Sequence, residues 1–87
     1  MDLQGYREQI DKVDDALLRL FKERMDISRQ IAQYKKEHGL PVLDAEREKK
    51  KLAEISDKAG EAFRPYAHAL YTTLFELSRA YQESINV

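Results

Sequence analysis

Apolar residues recur at alternating steps of three and four from the start of the chain: Leu3, Tyr6, Ile10, Val13, Leu17, Leu20, Ile27, Ile31 and Tyr34. That spacing puts them on one face of a continuous helix, as a seam along its whole length. Asp2 suits the N-cap, and neither Pro nor Gly interrupts the pattern between Gly5 and Gly39. Gly39 fits the position just past a helix end, and Pro41 blocks continuation. The pattern predicts a helix over Leu3 to Lys36, a rod of about 50 Å. A compact chain of this size has a radius of gyration of only about 12 Å. The rod therefore overhangs whatever the remaining residues can wrap around it. Covering the seam requires a second chain, so the pattern predicts an obligate dimer with two long helices packed together.

Leu40 to Leu43 read as a short extended connection. Asp44 then caps a second helix whose first turn holds Glu46 and Glu48, suited to the positive end of the helix dipole. Leu52, Ile55 and Ala59 carry its apolar face, and Gly60 closes it. Pro65 fits the first position of a third helix, with Phe63 or Arg64 at the cap. Ala67, Leu70, Leu74, Leu77 and Tyr81 make its main apolar stripe. Beside that runs a second line, Tyr71, Phe75, Ser78, Gln82 and Ile85. The expected fold class is all-α, with one very long, one short and one medium helix in a single domain over residues 1–87.

Composition narrows the function classes. The 87 residues include no cysteine, which removes disulfides and thiolate metal sites. A formal net charge of −1 gives no global field favouring nucleic acid or an anionic membrane. No apolar run reaches the length of a membrane span, and the start does not read as a signal peptide, so a cytoplasmic protein is expected. Lys49-Lys50-Lys51 looks polybasic, but lysines among glutamates on a helix form its solvated side. His38 and His68 lie far apart without carboxylate spacing, so no metal site is expected. Ser28 and Ser78 have no visible base to activate them as nucleophiles.

One polar residue breaks the long seam. Where the alternation calls for an apolar side chain at position 24 stands Arg24, a charge that is costly to bury unless an anion meets it. Ser28 and Lys35 follow four and eleven residues later, close to the same face. Arg24 and Lys35 can lean together over Ser28 and Ile31 around a small anion, the guanidinium for bidentate recognition and the ammonium as a point charge. Arg7 lies about 25 Å of rise away and cannot reach that place from the same helix. Two antiparallel copies allow it. Plainer readings stay open: an acidic partner for Arg24, Asp11 or Asp14 for Arg7, dipole pairing for Lys35, and first-turn charges at Arg47 and Glu48. Ser78 can bond its own helix, and Gln82 can be solvated.

Five segments in order resemble the all-helical (AroQ-class) chorismate mutases. They are Tyr6-Arg7-Glu8-Gln9-Ile10 with Asp14, Leu20-Phe21-Lys22-Glu23-Arg24-Met25, Ile31-Ala32-Gln33-Tyr34-Lys35-Lys36, Pro41 through Glu48, and Ser78-Arg79-Ala80-Tyr81-Gln82. The resemblance implies an intertwined homodimer of three-helix chains. It also implies the Claisen rearrangement of chorismate to prephenate, on the way to phenylalanine and tyrosine. By position, Arg24 and Lys35 match substrate-binding cations, and Arg7 matches an arginine supplied by the partner chain. Arg47 and Glu48 match a pair at the second helix, the glutamate meeting the substrate's ring hydroxyl. Asp44 matches a position near that hydroxyl. Ser78 and Gln82 match third-helix donors, the glutamine facing the ether oxygen of the breaking bond. Lys35, Gln82 and Arg24 are the expected catalytic residues.

Such a rearrangement is unimolecular and needs no cofactor, metal or covalent intermediate. Its barrier falls when the reactive conformer is held and charge growing on the ether oxygen meets fixed donors. Isochorismate pyruvate-lyase activity is an alternative on the same fold. A silent helical dimer regulating an aromatic-pathway enzyme is another. Docking to, or fusion with, a further enzyme of that pathway is compatible with either.

Overall fold

The computed structural model describes residues 2–85, which form three helices: α1 (Leu3–Glu37), α2 (Ala45–Ala59) and α3 (Arg64–Ile85). Each boundary has a local cause. Asp2 accepts a hydrogen bond from the Gly5 backbone N–H at 2.8 Å, and Asp44 accepts one from that of Arg47 at 3.1 Å. These satisfy donors that a helix start leaves unpaired. Gly39 (φ 65°) and Gly60 (φ 81°) occupy the left-handed region just after α1 and α2, where a side chain would be strained. α1 runs one residue beyond the expected end. α3 begins at Arg64, so Pro65 is its second residue rather than its first; Phe63 closes the turn, its carbonyl accepting from Ala67 N at 2.8 Å.

α3 is the middle layer, packed on α1 along one side and on α2 along the other, while α1 and α2 do not pack together among the described residues. The half-buried Leu52, Ile55 and Ala59 lie on one face of α2, as their spacing predicts. Of the two lines on α3, the second carries the fully buried residues. Phe75, Ser78 and Gln82 are buried, whereas Leu70 and Leu77 of the more apolar stripe stay exposed. The reason lies on α1, whose buried residues, Ser28 and Ala32, are small. They let α3 approach closely, and the line carrying Ser78 supplies a polar partner where Ser28 needs one.

The chain is a slab 54 × 26 × 14 Å, little thicker than one helix with its side chains. Its radius of gyration is 16.1 Å, against about 12 Å for a compact chain of this length. Buried apolar residues are correspondingly few among those described: Ala32 and Phe75. The long seam lies open, with Ile10 60% and Val13 63% exposed. Among the described residues no helix is long and apolar enough to cross a membrane.

Candidate functional site

The close crossing of α1 and α3 carries a small polar network. Ser28 Oγ and Ser78 Oγ lie 2.8 Å apart, both buried, and Gln82 Nε2 donates to Ser78 Oγ at 3.1 Å. Gln82 stands one turn beyond Ser78 and is only 6% exposed. Its Oε1 is buried without a hydrogen-bond partner. An orphaned amide oxygen costs about 1–3 kcal/mol. A half-turn of the amide would let the Ser78 hydroxyl donate to Oε1 and free Nε2 as a donor.

This network forms the floor of a groove of about 400 Å³, walled by α1, the α1–α2 connection, the start of α2 and the end of α3. Arg24, Lys35, Asp44, Arg47, Glu48, Ser78 and Gln82 all line it. They come from four separate stretches of sequence. Arg7 does not line it; it stands exposed near the start of α1, and makes no ion pair among the described residues.

The cations are held in different ways. Arg24 is half-buried with its guanidinium 5.7 Å from the centre of the Phe75 ring, a cation–π arrangement that lets it sit in an otherwise apolar seam. Lys35 is tied to the backbone of the chain that follows α1. Its Nζ donates to the Val42 carbonyl at 2.7 Å, because the chain after Pro41 turns back across the end of α1 and offers that oxygen. Asp44 uses its side chain on the cap. Ser78 bonds Ser28 and Gln82 instead of its own helix backbone, and Gln82 is buried instead of solvated.

Two cations escaped the sequence reading. Lys51, assigned above to a solvated side with Lys49 and Lys50, is half-buried and lines the groove while pairing with Glu54 at 3.5 Å. Arg79 reaches from α3 to α2, where its Nη1 donates to Glu48 Oε1. That hydrogen bond, more than any other contact, holds the guanidinium above its ordinary pKa. Nothing local marks Arg79, since the pair depends on the register of two helices. The groove therefore presents five cationic side chains (Arg24, Lys35, Arg47, Lys51, Arg79) against two carboxylates (Asp44, Glu48). On a chain of net charge −1, that concentration of positive charge suits a small polyanion. His38 lies outside, stacked on Tyr34 with ring centres 3.9 Å apart.

A family model described as chorismate mutase type II matches residues 6–83. A curated chorismate mutase of Methanocaldococcus jannaschii is 40% identical over 47 residues, covering 54% of this chain and 48% of that protein. A T-protein of Enterobacter agglomerans is 40% identical over 52 residues, 60% of this chain and 14% of the relative. A 4-amino-4-deoxychorismate mutase of Streptomyces venezuelae is 38% identical over 42 residues, covering 48% of this chain and 41% of that protein. In each case the chain spans less than half of the relative's length. Among solved structures there is no significant match.

Proposed function

The chain belongs to the chorismate mutase type II family, and we propose that its groove catalyses the Claisen rearrangement of chorismate to prephenate in phenylalanine and tyrosine biosynthesis. The observation that carries this reading is the pairing of surplus positive charge with a buried glutamine amide in one groove. Chorismate is a dicarboxylate. Arg24 and Arg47 take its carboxylates, the guanidinium being suited to bidentate contact. Glu48, with Asp44 beside it, accepts from the ring hydroxyl.

In the transition state the ether C–O bond lengthens while a C–C bond forms within the same molecule, and negative charge grows on the ether oxygen. Lys35 and Gln82 donate to that oxygen. Gln82 does so by the half-turn described above, with the Ser78 hydroxyl donating to Oε1 and Nε2 freed for the ether oxygen. An amide needs no proton from solvent and donates at any pH. The groove walls hold the enolpyruvyl arm over the ring, which lowers the entropic part of the barrier. A million-fold acceleration corresponds to about 8 kcal/mol, shared between orientation and these donors.

The working unit is an intertwined homodimer. Support comes from the exposed seam and from a slab too thin to hold a core of its own. Antiparallel long helices would bring one chain's Arg7 beside the partner's groove, where it closes over a substrate carboxylate. Residues 1–87 then act as one catalytic domain, free-standing or joined to a further pathway enzyme. The 14% of the T-protein relative that this chain matches supports the joined arrangement.

A second reading has a specific support: the Streptomyces relative is named for 4-amino-4-deoxychorismate, and the same groove has room for the amino-substituted substrate. The decisive experiment mixes the protein with chorismate and follows loss of its ultraviolet absorbance. Prephenate formation is expected; a folded, associated protein that leaves chorismate unchanged would overturn the proposal.

A further inference from the structure

The rearrangement just proposed gives Arg79 no task, yet Arg79 lines the groove and pairs with the carboxylate expected to read the substrate ring. We propose that Arg79 is a specificity-determining residue: by neutralising Glu48 it makes the groove select a ring hydroxyl over a ring amine. This rests on the reading that Glu48 meets the ring substituent, and adds to it a reason why one substituent is preferred.

The two residues come from different helices, 31 positions apart, and their side chains are each about three-quarters buried. They form a shared wall, since both also line a second hollow of about 520 Å³ on the far side. Arg79 therefore approaches Glu48 without occupying the substrate's side of the wall alone. Of the other groove cations, Lys35 is on the Val42 carbonyl, Arg24 over Phe75 and Lys51 with Glu54, and Arg47, though next to Glu48 in sequence, makes no ion pair with it. Arg79 is the cation that compensates Glu48.

The consequence follows from charge. A hydroxyl is neutral, and it needs only a lone pair on Glu48, which the ion pair leaves available. A primary amine is cationic near neutral pH, and gains from a carboxylate only the net field at its position. With Arg79 present, attraction by Glu48 is offset by repulsion from the guanidinium behind it. The pair carries no net charge in the native protein, −1 without Arg79 and +1 if Glu48 is made neutral. Preference for the amine should be highest without Arg79, intermediate in the native protein and lowest with Glu48 neutral. No new chemistry is required, because the amino analogue undergoes the same internal exchange of a C–O for a C–C bond.

The test compares chorismate with 4-amino-4-deoxychorismate in the native protein, Arg79→Met, Arg79→Lys and Glu48→Gln, with circular dichroism to establish folding. The quantity read is the ratio of kcat/KM for the amine to that for the hydroxyl, or of inhibition constants where the amine turns over too slowly. Arg79→Met should raise the ratio about ten-fold or more, while Arg79→Lys, which keeps the charge, stays near the native value. Glu48→Gln should move it the opposite way. Arg79→Met lowering both substrates equally would overturn the proposal and make Arg79 a strut between helices. Should Arg79→Met fail to fold, an unchanged ratio in Glu48→Gln overturns it as well. A native protein inactive on both substrates defeats the mutase reading itself, whereas activity on chorismate with an unmoved ratio defeats only the role of Arg79.

Discussion

The two halves of α1 are built on opposite rules. From Leu3 to Leu20 the helix presents apolar side chains to solvent, and every seam residue there is more than half exposed. From Arg24 to Lys35 it buries Ser28 and Ala32 against α3 and turns two cations into a groove. Three of the five buried residues described in the chain are polar: Ser28, Ser78 and Gln82. Ordinary domains bury apolar area, at roughly 25 cal/mol per Å², and leave polar groups wet. This chain does the reverse with its own contacts. Its internal packing shapes a polar site, and the apolar seam of α1 is left uncovered by the chain's own contacts. On the proposed reading, chemistry and cohesion between copies fall to different stretches of the same helix.

Substitutions should separate them. The largest effect is expected for Lys35→Ala, which should remove at least about a thousand-fold of kcat/KM on chorismate, some 4 kcal/mol, while sedimentation and helicity stay native. A near-native rate would remove Lys35 from the mechanism. Leu17→Asp strikes the other half. Placing a charge in the seam should cost about 3 kcal/mol or more, seen in sedimentation as dissociation and in circular dichroism as lost helix. An unaltered assembly would show that the seam is not the interface.

Arg7 belongs by position to the cohesive half and by proposed role to the catalytic one, so it tests whether the division holds. Arg7→Ala and Arg24→Ala proteins should each be inactive alone. Mixed and allowed to exchange, half of the dimers are hybrids, each with one intact site of two, so about a quarter of native activity should return. Exchange without recovery would confine each site to one chain. The smallest effects concern the two helix caps. Asp2→Ala and Asp44→Ala should each cost about 1 kcal/mol in thermal unfolding. Only Asp44→Ala, at the groove, should also raise KM; equal kinetic effects would blur the distinction between the halves.

Much of this was legible from sequence because its causes are local. Asp2, Asp44, Gly39 and Gly60 mark helix ends through interactions spanning three or four residues. The alternation of the seam, and Arg24 as its exception, need only the helical repeat. What failed to show depends on register between helices. Nothing in Ala67 to Ile85 reveals that the less apolar stripe turns inward, since that choice is made by the small residues on α1. Arg79 looks like any helix-surface cation until α2 places Glu48 before it. Lys51 is hidden among similar neighbours in the same way.

The bond from Lys35 to the Val42 carbonyl ties one wall of the groove to the backbone of the α1–α2 connection. The ammonium has three donors, so an anion arriving at Lys35 can be met while the Val42 carbonyl keeps its bond. Affinity there depends on where that carbonyl holds the ammonium. The stiffness of the Leu40–Leu43 link enters it directly, and Pro41 becomes a place where ligand affinity can be tuned without touching the ligand.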